Sequence, residues 1–360
     1  TAASNVNFTS AFRSTALTAL PAGLDMSQGD TFNGAFQLCG SLTTIGTGVL
    51  LGTASSGVNF NYAFYNTALT ALPAGLDMSQ GDVFTNAFQH CGSLTTIGTG
   101  VLLGTAAENV DFGYAFYNSG LAALPAGLDL SQGDTFVSTF KECSSLTTIG
   151  SGVLLGTASA NVNFNHVFYN TALTALPAGL DMSQGKYFDS AFYGCSSLTT
   201  IGSGVLLGTA SSNVDFTSAF YGCTALTELP ANLDLSQGST LASAFNGCSS
   251  LETIGSGVLL GTAHAAASVN FNNAFKGCTN LVTLPANLNL SKGDEFQSAF
   301  RNCSSLVTFP AGAFDTMGTP QNYCFLNAWN GCSALSATSV DAILDSIEAS
   351  GQLAPSTGPE

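Results

Sequence analysis

The sequence predicts an α/β solenoid: a stack of about 13 coils of short strands and short helices, closed by a C-terminal capping helix. Three observations predict it. First, Val6, Val58, Val110, Val162 and Val214, each followed by Asn or Asp and then Phe, stand 52 residues apart, and the copy at Val269 follows after 55. The extra length falls at residues 264–267, which read as an expanded turn. Second, each period holds two related halves, so the structural unit is a coil of 24 or 28 residues marked by an Ala-Phe pair, as at Phe64, Phe88 and Phe116. Trp329 takes the same place in the last coil. Third, one coil cannot bury its own Phe and Leu residues, whereas stacked coils can.

Within a coil, Phe84, Ala87, Phe88 and Cys91 fall at i, i+3, i+4 and i+7, which predicts one face of a short helix. Asn59, Asp111, Asn163 and Asp215 precede the first Phe and are placed to cap it. Leu94-Thr-Thr-Ile97 is too short for a further helical turn and reads as a brief strand, ended by Gly98. The remaining segments, such as Gly98 to Gly104 and Ala74 to Gly81, read as turns with apolar anchors. Strands spaced about 4.8 Å apart would give a rod on the order of 60 Å long.

Composition excludes several functions. The 360 residues carry 22 acidic and 6 basic side chains, a formal charge of −16, and only 8% are charged. Nucleic acid, which needs clustered Lys and Arg, is not an expected partner. No run of about 18 apolar residues is present, so no membrane insertion is expected. The chain begins at Thr1 with no signal peptide and reads as a processed form or fragment.

The strings Ala219-Phe220-Tyr-Gly-Cys223-Thr-Ala-Leu226-Thr-Glu-Leu229 and Ala191-Phe192-Tyr-Gly-Cys195-Ser-Ser-Leu198-Thr-Thr-Ile201 resemble the BspA-like leucine-rich repeat. The resemblance covers residues 5 to about 335. It implies a right-handed leucine-rich solenoid, extracellular and on a cell surface, of an adhesive or host-binding kind. The stretch from Trp329 to Ile347 also resembles endings of phage tail-fibre-like proteins, which implies a virion surface as the other setting. Several coils depart from the pattern, with Thr15, Thr67, Ser119 or Thr171 near the place of the cysteine.

Repetition disposes of most apparent sites. Nine cysteines recur at one coil position and read as buried, space-filling thiols. Cys324 lies outside the motif, with Cys332 and Cys303 as possible disulfide partners. Gly46-x-Gly48-x-x-x-Gly52 recurs in five copies and reads as turn glycines, not a dinucleotide loop. Asp25, Asp77 and Asp129, with Asp30, Asp82 and Asp134, could form a Ca²⁺ ladder, but Lys186 and Ser239 interrupt the second column. Turn stabilisation is the expected role, and no metal or other cofactor is expected. Thr43, Thr44, Thr95, Thr96, Thr147, Thr148, Thr199 and Thr200 align, but adjacent strand residues point to opposite faces, so no flat threonine array is expected. The three histidines build no triad, and no enzymatic activity is expected.

One feature stands apart. The residue after the Ala-Phe pair should point outward, and it is Tyr65, Tyr117, Tyr169, Tyr193 and Tyr221 in five coils. Three residues earlier lie Tyr62, Tyr114 and His166. These eight are the candidate ligand-binding residues, since exposed aromatics suit protein or glycan recognition. Ring-on-ring packing that only shields coil edges is the alternative.

Three segments are expected: a solenoid over 1–338, a capping helix over 339–351, and a loose tail over 352–360. Ser339 would cap the helix, and Val340, Ile343, Leu344 and Ile347 would share its buried face. The N-terminal end lacks such a cap and is expected to be covered by another coil, domain or chain. The function expected is a non-enzymatic extended surface for adhesion, with a protein or glycan on a host or neighbouring cell as partner. The other reading is a fibre component that associates end to end through its N-terminal end.

Overall fold

A computed structural model describes residues 6–264, 268–318 and 323–351, so the expanded turn at 265–267 and the tail lie outside the described residues. The chain forms the expected solenoid. One parallel sheet of 12 strands runs along the rod, beginning at Val6–Asn7 and ending at Gly293–Glu295. Each of these coils contributes one strand, alternately a Val-Asn or Val-Asp pair and a three-residue strand such as Gly81–Val83. Two further faces carry two-residue strands. Thr96–Ile97 pairs with Ala71–Leu72, and Leu102–Leu103 pairs with Asp77–Met78. The strand expected at Leu94 to Ile97 is therefore present as Thr96–Ile97, and segments read as plain turns hold strands as well.

The helices expected inside the coils are absent among the described residues. Phe84 to Cys91 is a succession of turns. Its amides alternate between two uses. Ala87 and Gln89 donate within the coil to the residue three before, at 2.9 and 3.2 Å, whereas Phe84, Asn86, Phe88 and His90 donate to the next coil at 2.7–2.9 Å. Left-handed φ angles at Asn86 (58°) and His90 (60°) produce this alternation and forbid a helix. A helix would close all its bonds within the segment and leave nothing to join coils. The expected caps keep their hydrogen bond in a new setting: Asn59 Oδ1 accepts the Asn61 amide at 2.8 Å and Asp111 Oδ1 that of Gly113 at 2.7 Å, opening the turn series from a strand end.

The core is two columns of stacked rings. Phe64 stacks on Phe88 with centroids 5.4 Å apart and planes 3° apart, and Phe60 stacks on Phe84 at 5.2 Å. Trp329 continues one column from Phe300. Beside the rings lie the repeat thiols. Cys91 Sγ donates to the Phe64 carbonyl of the preceding coil at 3.1 Å, and Cys143, Cys195 and Cys303 do the same to theirs. Where a coil has a hydroxyl instead, Thr67 meets Cys91 Sγ at 3.2 Å. All ten cysteines are free thiols, Cys324 included, so the disulfide considered for it is not formed. Burial pushes Cys143 and Cys195 up to about 11 and Cys248 up to about 12. Cys332 is only half-buried, its Sγ donates to the Phe300 carbonyl at 3.0 Å, and the neighbouring Cys303 thiol holds it below the usual value.

The C-terminal helix spans Ala337–Ala349 and is capped by Ser336, not Ser339. Its buried face also differs from the expected one. Ile343 and Ile347 are buried, but Val340 and Leu344 are exposed, and Ser339 and Ser346 take their place against the last coil. The reason is polar. Ser339 Oγ accepts the Phe309 amide at 3.1 Å and donates to the Val307 carbonyl at 3.1 Å, while Ser346 Oγ accepts the Phe314 amide at 2.8 Å. Buried backbone groups at the end of the stack need partners more than the helix needs two further apolar contacts. At the other end nothing comparable among the described residues covers the first coil. Phe8, Phe12, Leu17 and Leu24 line a depression of about 350 Å³.

Close coil spacing makes selected glycines indispensable. A Cβ on Gly98 would lie 2.5 Å from the Ala74 backbone nitrogen of the preceding coil, whereas one on Gly92 meets nothing within 4 Å. Gly98→Ala is expected to cost about 1–3 kcal/mol in urea unfolding, and Gly92→Ala less than about 0.5 kcal/mol. Equal midpoints for the two would contradict the packing. In alkylation at pH 8, Cys332 is expected to react first in the native protein, with the motif thiols at Cys91, Cys143, Cys195 and Cys248 silent until unfolding. Mass mapping of labelled peptides checks this, and early labelling of Cys143 would count against it.

Candidate functional site

The outward positions of the turn face carry the predicted aromatics. Tyr65 and Tyr117 follow the buried pairs Ala63-Phe64 and Ala115-Phe116 and are half-buried, not fully exposed. Tyr62, Tyr114 and His166 occupy the left-handed position of the turn, with φ of 54°, 56° and 58°. Other coils place Ser or Asn there, as at Ser138, Ser190 and Asn273. A left-handed conformation costs a bulky residue roughly 1–2 kcal/mol, and short polar residues tolerate it better. The rings are thus held where the backbone alone would not select them.

All eight predicted residues take part in ring contacts, and they form two groups. In the first, Tyr62 meets Tyr65 edge-on at 5.4 Å and Tyr114 meets Tyr117 at 5.9 Å. His90, from the intervening coil, joins them, 5.5 Å from Tyr65 and 5.4 Å from Tyr117. Asn118 Nδ2 holds its Nδ1 at 3.0 Å. In the second group, Tyr169, Tyr193 and Tyr221 stack face to face, each step 4.6 Å with planes 3° apart. His166 lies tilted against Tyr169 at 5.7 Å. Lys141 places Nζ 4.4 Å over the free side of the Tyr169 ring.

His90 and Lys141 are the residues that sequence reading missed. Both sit in the coils between the tyrosine-bearing ones, at or next to the position that carries Tyr, so the signal was the column itself and not the residue type. Burial, then Tyr193 and Glu142, push the Tyr169 phenol up, so it stays protonated and able to donate. Burial holds His166 below the usual histidine value, against Asp189, which favours its charged form.

The other candidates resolve locally. Asp25, Asp77 and Asp129 each accept the amide of the serine two residues on, at 2.9 Å, as turn stabilisers do. Among the described residues no group of three or more His, Cys, Asp or Glu side chains could hold a metal ion. The threonine expectation needs correction. Thr95 and Thr96 are both exposed, because Leu94 and Ile97 both turn inward and leave two outward residues at a corner between them. The Thr95 hydroxyl is tied to the Thr70 carbonyl at 3.3 Å. Among the described residues no helix is long and apolar enough to cross a membrane.

Comparison with known proteins agrees with this architecture. A crystal structure of a leucine-rich repeat protein from Bacteroides ovatus ATCC 8483 aligns with a TM-score of 0.57 at 20% identity, over 91% of this chain and 80% of that one. A leucine rich cell surface protein from Faecalibacterium prausnitzii A2-165 aligns over 94% of this chain and 85% of that one, with 17% identity and a TM-score of 0.36. No curated protein matches the sequence. The family model for the BspA type leucine rich repeat region (6 copies) matches residues 60–199, 164–258 and 267–350. The chain belongs to the BspA-type leucine-rich repeat family.

Proposed function

We propose that this chain is a non-enzymatic, extracellular repeat protein whose aromatic line makes contact with a protein or glycan on another cell. The observation that carries the reading is the placement of Tyr62, Tyr114 and His166 in left-handed positions, against local preference, where each ring completes a group with the next. Strained side-chain positions kept against an available alternative point to a role beyond folding. A cell surface is the setting that family likeness favours. End-to-end stacking of identical chains has less support, because the helix Ala337–Ala349 covers one end of the rod.

Two variants separate recognition from ring packing. Tyr62→Asn restores a residue suited to the left-handed backbone, and unfolding is expected to be unchanged or up to about 1 kcal/mol more favourable to the native state. A loss of stability would mean that the ring is there for packing. Tyr117→Ala with Tyr169→Ala should reduce binding to a ligand found on glycan and protein arrays by tenfold or more, as removal of aromatic anchors does. Undiminished binding by that folded double variant would remove the aromatic line as the contact face.

A further inference from the structure

We propose that the aromatic line takes an extended acidic glycan, a chain whose sugars carry carboxylate or sulfate groups more widely spaced than the phosphates of duplex DNA. The inference rests on the contact face proposed above and names its ligand class. Its first support is the distribution of charge. Of the six basic residues, four (Arg13, Lys141, Lys276 and Arg301) occupy one coil position, the residue after the Ala-Phe or Thr-Phe pair, which is the position of the tyrosines. The turn face, taken from three residues before that phenylalanine to two after it, carries only Glu142 and Asp189 as acids. It is therefore net +2 (four minus two), while the rest of the chain is −18 (two minus 20), which together give −16. Cations in an acidic protein have been gathered on the face that bears the rings.

These cations are also unspent. Among the described residues none of the six basic side chains is in an ion pair, although 22 acids are present in the chain. Lys141 lies on a tyrosine ring, and the buried Nε of Arg301 has no hydrogen-bond partner. The rings point the same way. In the Tyr169-Tyr193-Tyr221 stack the faces between rings are covered by one another, so ring edges and phenol hydroxyls meet solvent. The edge is the positive part of an aromatic quadrupole, and a hydroxyl donates. Such a surface suits anionic oxygens better than it suits the apolar face of a neutral sugar.

Spacing selects among polyanions. Lys141 and Lys276 are five coils apart, about 24 Å at about 4.8 Å per coil. Duplex DNA, with a charge per about 1.7 Å, would meet strong repulsion from the rest of the chain for few cationic contacts. A sparsely charged linear polymer can lie along a rod of regular coils and meet its cations one at a time. A glycan is regular in that way, whereas an acidic peptide would have to give up conformational freedom along the whole line.

The test uses the whole chain in affinity electrophoresis through gels containing sodium alginate (a polyuronate), carrageenan (a sulfated galactan), dextran, polyglutamate or single-stranded DNA. Retardation by alginate or carrageenan, weakening with added salt and absent with dextran, polyglutamate and DNA, is expected. Lys141→Gln with Lys276→Gln should weaken it at least tenfold, and Lys292→Gln, off this face, should leave it unchanged. The inference is overturned if neither acidic polysaccharide retards the protein, if dextran, polyglutamate or DNA does so equally, or if the double lysine variant binds like wild type. Binding to a neutral glycan or a protein that falls with Tyr117→Ala and Tyr169→Ala but not with the lysine variants sinks the acidic glycan alone. Acidic-polymer binding untouched by the tyrosine variants sinks the contact face itself.

Discussion

Every second amide of the turn face is given to the neighbouring coil, and the rest of the molecule depends on that alternation. In the coil of Phe84 to His90, four amides cross to the next coil while Ala87 and Gln89 close turns inside their own. The crossing bonds fix the coil spacing, and the spacing brings Phe on Phe at about 5 Å, inside the favourable range for offset aromatic stacking. A buried Phe contributes roughly 1.5–3 kcal/mol by burial alone, and each column repeats that gain along the rod. The thiols follow from the same geometry. Cys91 is fully buried beside the Phe64 carbonyl and offers it a weak donor.

A face whose backbone bonds and inward rings are fixed leaves its outward positions free to vary. The position after the second Phe is Gln37 and Gln89 in some coils, Tyr in five, and Lys or Arg in four. Nothing in the packing asks for Tyr there. The site is accordingly a column of side chains contributed by many coils, not a pocket, and its chemistry is set by which residues fall in register along the rod. His90 and Lys141 belong to it for that reason, although neither is a tyrosine.

The solenoid was legible in the sequence because each coil repeats the same apolar positions. The local conformation departs from the sequence expectation where two periods coincide. Phe84, Ala87, Phe88 and Cys91 match a helical face, but a turn series with left-handed residues at Asn86 and His90 also repeats every four, and only the bonds to the next coil distinguish them. Leu94-x-x-Ile97 predicts a brief strand with alternating faces, yet both apolar residues turn inward, so Thr95 and Thr96 emerge together. In the terminal helix Val340 and Leu344 followed the apolar pattern, but Ser339 and Ser346 were needed for the amides of Phe309 and Phe314. The tyrosine column was visible as a pattern. Its division into two groups was not, because that depends on how rings from neighbouring coils pack.

The central claim is that the inward rings and crossing amides carry the fold while the outward column carries recognition. It is tested most directly by replacing Tyr65, Tyr117, Tyr169, Tyr193 and Tyr221 together by Gln, the residue already present at Gln37 and Gln89. Unfolding and ligand binding are then measured on the same protein. The account predicts a urea midpoint close to that of the parent, within about 1 kcal/mol, since Gln already fills this outward position in other coils and the core rings are untouched, together with loss of binding. A large fall in stability, or binding that survives all five replacements, would contradict it.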